Sequence, residues 1–222
     1  MWPVEPDELV ALQEHLAALR PPSWHPSGDD LIAGCFVCFP RGGTGIGAAG
    51  DPAWAGAAAL RRGRVVATAS ITDAARAPYR PGLLALREGP VLEAAVRSLG
   101  TVPDVLIVNA TGLDHPRRAG LALHLGAVLD LPTVGVTNRT LLAEGAEPGP
   151  ERGDAAPLRI GSDVVGAWVR SRPGAHPVAA HAAWRTDAAD AAAVVLAAAR
   201  RSRTPEPVRR ARTLARRARA GR

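Results

Sequence analysis

The sequence predicts a mixed α/β fold, one sheet flanked by helices, on three observations. Apolar stretches of strand length recur at residues 31–39, 53–60, 64–71, 105–108, 133–136, 163–170 and 178–181. Longer segments with helical spacing lie between several of them. The order is three strands in succession, then helices alternating with strands, which is the order of a mixed sheet.

Each element has a local reason. Residues 6–19 read as a helix, with Pro6 near its start and leucines at 9, 12, 16 and 19 forming a stripe. Pro21 and Pro22 end it. Residues 31–39 form an apolar strand, and 41–51 a glycine-rich loop. Residues 53–60 and 64–71 read as paired strands, turning at Arg61-Arg62-Gly63. A helix follows over 82–99, stopped by Gly100, then a short buried strand over 105–108. Residues 119–131 read as a helix ended by Pro132, with a strand over 133–136. Residues 142–157, rich in Gly, Pro and Glu, read as a loop. Strands at 163–170 and 178–181 precede an alanine-rich helix over 186–200 and a basic helix over 207–219.

With 222 residues, the chain reads as a single domain over 1–222 with a sizeable core. Residues 1–30 supply the first helix and lead-in, and 200–222 a basic C-terminal helix and tail. No apolar run approaches the ~20 residues of a membrane span. The start, Met1-Trp2-Pro3-Val4-Glu5, lacks the basic and apolar regions of a signal peptide, so a cytoplasmic location is expected. All 27 basic residues are arginine, and the net charge is +6. Residues 200–222 hold ten arginines against one acid, Glu206, a local charge of +9, so the remainder is net acidic. Such a segment can attract a polyanion or form a solvated helix face.

Two motifs lead nowhere. Cys35 and Cys38 make a lone Cys-x-x-Cys with no second pair to complete a zinc site, and in a strand they point to opposite faces. Two buried thiols are expected. Gly45-Ile46-Gly47-Ala48-Ala49-Gly50 matches the dinucleotide fingerprint. Five residues separate it from the strand, however, and Asp51-Pro52 stands where a helix should run. A hairpin loop is the better reading.

Two longer blocks carry a family likeness. The first is Ala77-Pro78-Tyr79-Arg80-Pro81-Gly82-Leu83-Leu84-Ala85-Leu86-Arg87-Glu88-Gly89-Pro90. The second is Thr111-Gly112-Leu113-Asp114-His115-Pro116-Arg117-Arg118-Ala119-Gly120-Leu121-Ala122, followed by Leu131-Pro132-Thr133-Val134-Gly135-Val136. In content, order and spacing they resemble the endonuclease V family, whose likeness covers most of residues 30–215, including Thr204-Pro205-Glu206-Pro207-Val208-Arg209. The resemblance implies an RNase H-like fold and magnesium-dependent cleavage of nucleic acid one linkage beyond a deoxyinosine, with some members preferring inosine in RNA.

It also implies roles for residues. Tyr79, Pro81 and Gly82 match the wedge that enters the duplex, and Gly112, Leu113, His115, Pro116 and Arg117 the loop that reads an extruded base. Glu88 matches a metal-binding glutamate. The family's first strand carries Val-Asp-Val-Ser after Ala-Gly, whereas Cys35-Phe36-Val37-Cys38 follow Ala33-Gly34 here, so Phe36 stands for the aspartate. The second strand ends Val-Asp-Gly, where this chain has Val108-Asn109-Ala110. Asn138 replaces a lysine. A late histidine in a Gly-His-Arg setting is assigned to His181. Catalytic candidates are therefore Glu88, Asn109 and His181; Glu88 is the metal candidate, with Asp114 in reserve.

Three functions stand open on these residues. The leading one is a homologue that binds inosine-containing or distorted DNA or RNA with weak or absent magnesium-dependent cleavage. The second is an active nuclease with rearranged ligands Glu88, Asp114 and His181. The third is a recruited fold that takes a small molecule or a protein partner in a cleft made apolar by Phe36 and the thiols.

Overall fold

A computed structural model describes residues 2–41 and 47–221. Its eight strands form a single sheet, in the order β3-β2-β1-β4-β5-β8-β7-β6. β1 (Ile32–Cys38), β2 (Pro52–Arg61) and β3 (Arg64–Ala74) make the antiparallel meander the sequence predicts. β4 (Val105–Val108) then pairs parallel to β1, and β5 (Thr133–Thr137) parallel to β4. β6 (Ala155–Ile160), β7 (Asp163–Val169) and β8 (Val178–Ala182) complete the sheet with antiparallel pairings.

Helices cover both faces. α1 (Pro6–Ala18), α2 (Leu84–Arg97) and α3 (Leu121–Leu129) lie on one. α4 (Ala188–Ala198) and α5 (Glu206–Arg219) lie on the other. Strand alternation divides the core accordingly. Ala33, Cys35, Val37, Leu106 and Val108 pack with Leu9, Leu86, Leu92 and Leu125. Val105, Ile107, Val134 and Val136 pack with Val194, Val195 and Val208. Cys35 and Cys38 are buried free thiols.

α5 runs alongside β1 and lies close on the sheet because β1 and β2 present glycine to it. A Cβ on Gly34 would run into the backbone of Pro207 and Val208, and one on Gly56 into Ala211 and Ala215. This contact decides where the basic helix sits, and hence where its arginines point.

β6 departs from the predicted loop over 142–157. It is a sheet edge with only Leu158 buried, and it carries Pro157, which a central strand would not tolerate. Pro157 and the Gly-, Pro- and Glu-rich stretch before it hid the strand. The fingerprint-like glycine segment lies partly outside the described residues; β2, not a helix, follows Gly50.

Candidate functional site

The sequence separated the Tyr79 block from the Gly112 block by some thirty residues; the structure brings them together. The carbonyl of Gly82, a residue at φ +74°, accepts hydrogen bonds from Arg117 Nη2 at 2.9 Å, Gln13 Nε2 at 3.2 Å and His115 Nε2 at 3.2 Å. His115 Nδ1 accepts from the Arg117 N–H at 3.2 Å, so the proton of the neutral ring sits on Nε2 and is donated to Gly82. Burial and the Arg117 charge push the His115 pKa down, which favours that neutral form. Arg117 Nε donates to Gln13 Oε1 at 2.7 Å, tying in α1. Gln13 was not singled out in the sequence.

On this base the Tyr79 ring stands out, 40% exposed, beside exposed Pro81. Arg87 holds the turn from beneath. Its guanidinium donates to the carbonyls of Ala48 and Ala77 and to Asp51 Oδ2, and stacks 4.1 Å from the Phe39 ring. In the second loop Gly112 is buried, Leu113 half-buried and Pro116 exposed. The Leu113 N–H donates to Ala182 and the Gly112 carbonyl accepts from Gly120.

Glu88 is half-buried on α2 and faces the sheet near Cys35. Arg87 and Arg117 are engaged elsewhere, so neither pairs with it. Burial, only partly offset by the Arg87 charge, raises its pKa to about 7. The two altered positions meet on the other side. Phe36 lies one residue beyond Cys35 and so points towards α5. There the Arg212 guanidinium stands 5.0 Å from the Phe36 ring centroid and donates to Asn109 Oδ1 at 3.3 Å. Arg212 was missed in the sequence because its helix read only as a basic face. Similarly, Arg203 donates to Asn138 Oδ1 at 2.8 Å, where the family's lysine would stand.

The reserve ligand is otherwise engaged. Asp114 is fully buried, and its oxygens accept from the N–H groups of Leu141, Leu142 and Ala143 at 2.7, 2.8 and 2.9 Å. It anchors that loop, contrary to the expectation of a ligand. His181 is fully buried too, with Nε2 2.7 Å from Thr137 Oγ1 and Nδ1 3.7 Å from Asp114. Burial lowers its pKa to about 4.

Glu88 thus stands as the site's carboxylate, with a phenyl ring and an amide at the positions where the resemblance implies aspartates, and a guanidinium against both. Magnesium takes hard oxygen ligands in an octahedron, and these residues do not fit it. Another acidic group, His25 with Asp187 and Asp190, gathers its ligand atoms within 4.8 Å. Those aspartates already form the reciprocal cap of α4, and His25 Nδ1 lies 2.9 Å from Asp190. A cleft of about 470 Å³ opens between α1 and β7, with Leu16, Leu113, Arg118, Leu123 and Trp184 on its walls. No residue of the 31–39 strand lines this cleft.

The fold and the paired loops define an RNase H-like protein of the nuclease type, and comparison with known proteins makes the family specific. The chain belongs to the Endonuclease V family, whose profile matches residues 26–213. A curated endonuclease V from Streptomyces avermitilis is 38% identical over 222 residues, covering 98% of this chain and 93% of that one. A crystal structure of the endonuclease V from that organism superposes with a TM-score of 0.88 at 36% identity, over 99% of this chain and 95% of that one. The catalytic domain of human endonuclease V does so with a TM-score of 0.82 at 30% identity, over 98% and 99%.

Proposed function

We propose that this protein is an endonuclease V homologue of the cytoplasm that binds inosine-containing or distorted nucleic acid and cuts it weakly or not at all with magnesium. The observation that carries the reading is a split within one molecule. The Gly82 carbonyl, with its three donors from Gln13, His115 and Arg117, holds an exposed Tyr79 at the tip of a fixed turn. The ion-holding side has Phe36, Asn109 and Arg212 instead of carboxylates.

The binding steps follow from these groups. Tyr79 presents an aromatic face that stacks in the gap left by an extruded base. The neutral His115 keeps the turn and the Gly112–Arg117 loop in one arrangement. The arginines of α5 supply positive charge for the phosphate backbone. On this reading Glu88, with its raised pKa, is half-protonated near pH 7. The rearranged-ligand alternative is not favoured, because Asp114 is buried and engaged by the N–H groups of the 141–143 loop and His181 is buried against Thr137.

Fluorescence anisotropy on a labelled duplex, with and without one deoxyinosine, tests the proposal. Tighter binding of the inosine duplex, reduced ~10-fold or more by Tyr79→Ala, is the expected result. Equal affinity of wild type and Tyr79→Ala for both duplexes would remove the wedge from the account.

A further inference from the structure

We infer that the Arg212 guanidinium serves as the fixed cation of this site, gripping a backbone phosphate of the nucleic acid where the family likeness calls for a metal ion. The phosphate half of this inference rests on the nucleic-acid reading above; the placement of the charge does not.

Arg212 belongs neither to the exposed basic face of α5 nor to its core side. It is half-buried, whereas Arg209, Arg210, Arg216 and Arg217 are exposed. Among the described residues its guanidinium meets Phe36 and Asn109, the two side chains at the positions where the resemblance implies aspartates. The ring of Phe36 lies under its plane at 5.0 Å, and the amide oxygen of Asn109 accepts from Nη2 at 3.3 Å. Both substitutions suit an arginine better than an aspartate would suit a bound anion. A phenyl face attracts a guanidinium without neutralising it, and an amide oxygen fixes its orientation without cancelling its charge. Two aspartates there would pair with Arg212 and repel a phosphate.

A guanidinium has five N–H donors in a planar fork, and one is engaged by Asn109. The remaining donors match the bidentate geometry of phosphate oxygens. The charge is continued by neighbours: Arg216 and Arg219 follow at i+4 and i+7, on the same helix face, and with Arg41 gather around Cys38. The site at Asn138 repeats the pattern, since Arg203 from the same C-terminal segment stands over a second asparagine in place of a cation-bearing residue.

Two measurements separate the parts. In the first, binding of a labelled deoxyinosine duplex is followed against salt, once in EDTA and once in magnesium. Wild-type affinity is expected to be the same in both. Arg212→Gln should weaken binding about 10-fold and lower the slope of log K against log salt by about one; Arg212→Lys should keep the slope. A wild type that binds only with a divalent ion, or an unchanged slope in a folded Arg212→Gln, would overturn the phosphate role. Should wild type bind no duplex at all, the nucleic-acid reading falls and this role with it. The second measurement needs no nucleic acid. Manganese is titrated calorimetrically into Phe36→Asp/Asn109→Asp and into the same variant with Arg212→Ser. Binding at least 10-fold tighter in the triple variant is expected, because the guanidinium otherwise pairs the new carboxylates. Equal affinity in the two would show that Arg212 does not hold the cation position.

Discussion

The Nε2 of His115 lies 3.2 Å from the carbonyl oxygen of Gly82 and fastens the Tyr79 turn to the loop that follows β4. His115→Ala removes one of the three donors to that oxygen. The loss of one such bond is worth about 1 kcal/mol. Binding of a deoxyinosine duplex should therefore weaken about 5-fold, and thermal stability should fall as well, because the ring is buried. Because the pKa of His115 is lowered, the wild type should keep its affinity as pH falls through the ordinary histidine value of 6.5 and lose it only below. Anisotropy titrations between pH 5 and 8 check both.

Glu88 makes the molecule less stable as pH rises. Its pKa is raised from 4.5 to about 7 by burial. Below 4.5 folded and unfolded chains both hold the proton and no penalty arises. Between 4.5 and 7 the unfolded chain gives up its proton first, and the stability contributed by the neutral carboxyl is lost. Glu88→Gln should therefore be more stable than wild type at pH 8, by about 1–3 kcal/mol, and equal to it at pH 4. Urea unfolding at the two pH values reads this directly.

His124 has the opposite sign. Its ring stacks on Trp2 at 4.5 Å between centroids, its two nitrogens have no hydrogen-bond partner among the described residues, and burial lowers its pKa to about 4. The neutral ring is accepted above the ordinary value of 6.5. As pH falls from 6.5 to 4 the unfolded chain gains a proton that the folded one resists, and stability is lost. His124→Phe keeps the stack and should be less sensitive to acid over that window, as thermal melts at pH 7 and pH 4.5 would show.

Much of this was legible before the structure. The meander and the alternation of helices and strands follow from apolar runs bounded by Gly and Pro. The loop pair Tyr79–Gly82 and Gly112–Arg117 follows from two motifs in order. What periodicity could not give was which face Phe36 uses and what meets it there. That depends on α5 settling on Gly34 and Gly56, a contact across more than 150 residues of chain. Asp114 stays open in the sequence for a related reason: a carboxylate in a loop after a strand reads the same whether it holds an ion or three backbone N–H groups. Edge strand β6 was hidden by Pro157 and its charged neighbours.

Asp114→Ala leaves the N–H groups of Leu141, Leu142 and Ala143 without their acceptor. A loss of about 3 kcal/mol or more is expected, together with faster amide exchange confined to residues 139–145. Hydrogen exchange measured by mass spectrometry separates this anchoring role from a role in holding an ion, which would leave exchange in that loop unchanged.

On the proposed reading this chain engages its target and cuts it weakly or not at all. The most direct test is cleavage of a deoxyinosine duplex under conditions where anisotropy shows it saturated with protein, in magnesium and separately in manganese. A bound duplex left largely or wholly intact by the wild type is expected. Efficient cutting next to the inosine by the wild type, abolished by Glu88→Gln, would contradict it and would mean that Phe36, Asn109 and Arg212 still leave room for a working ion.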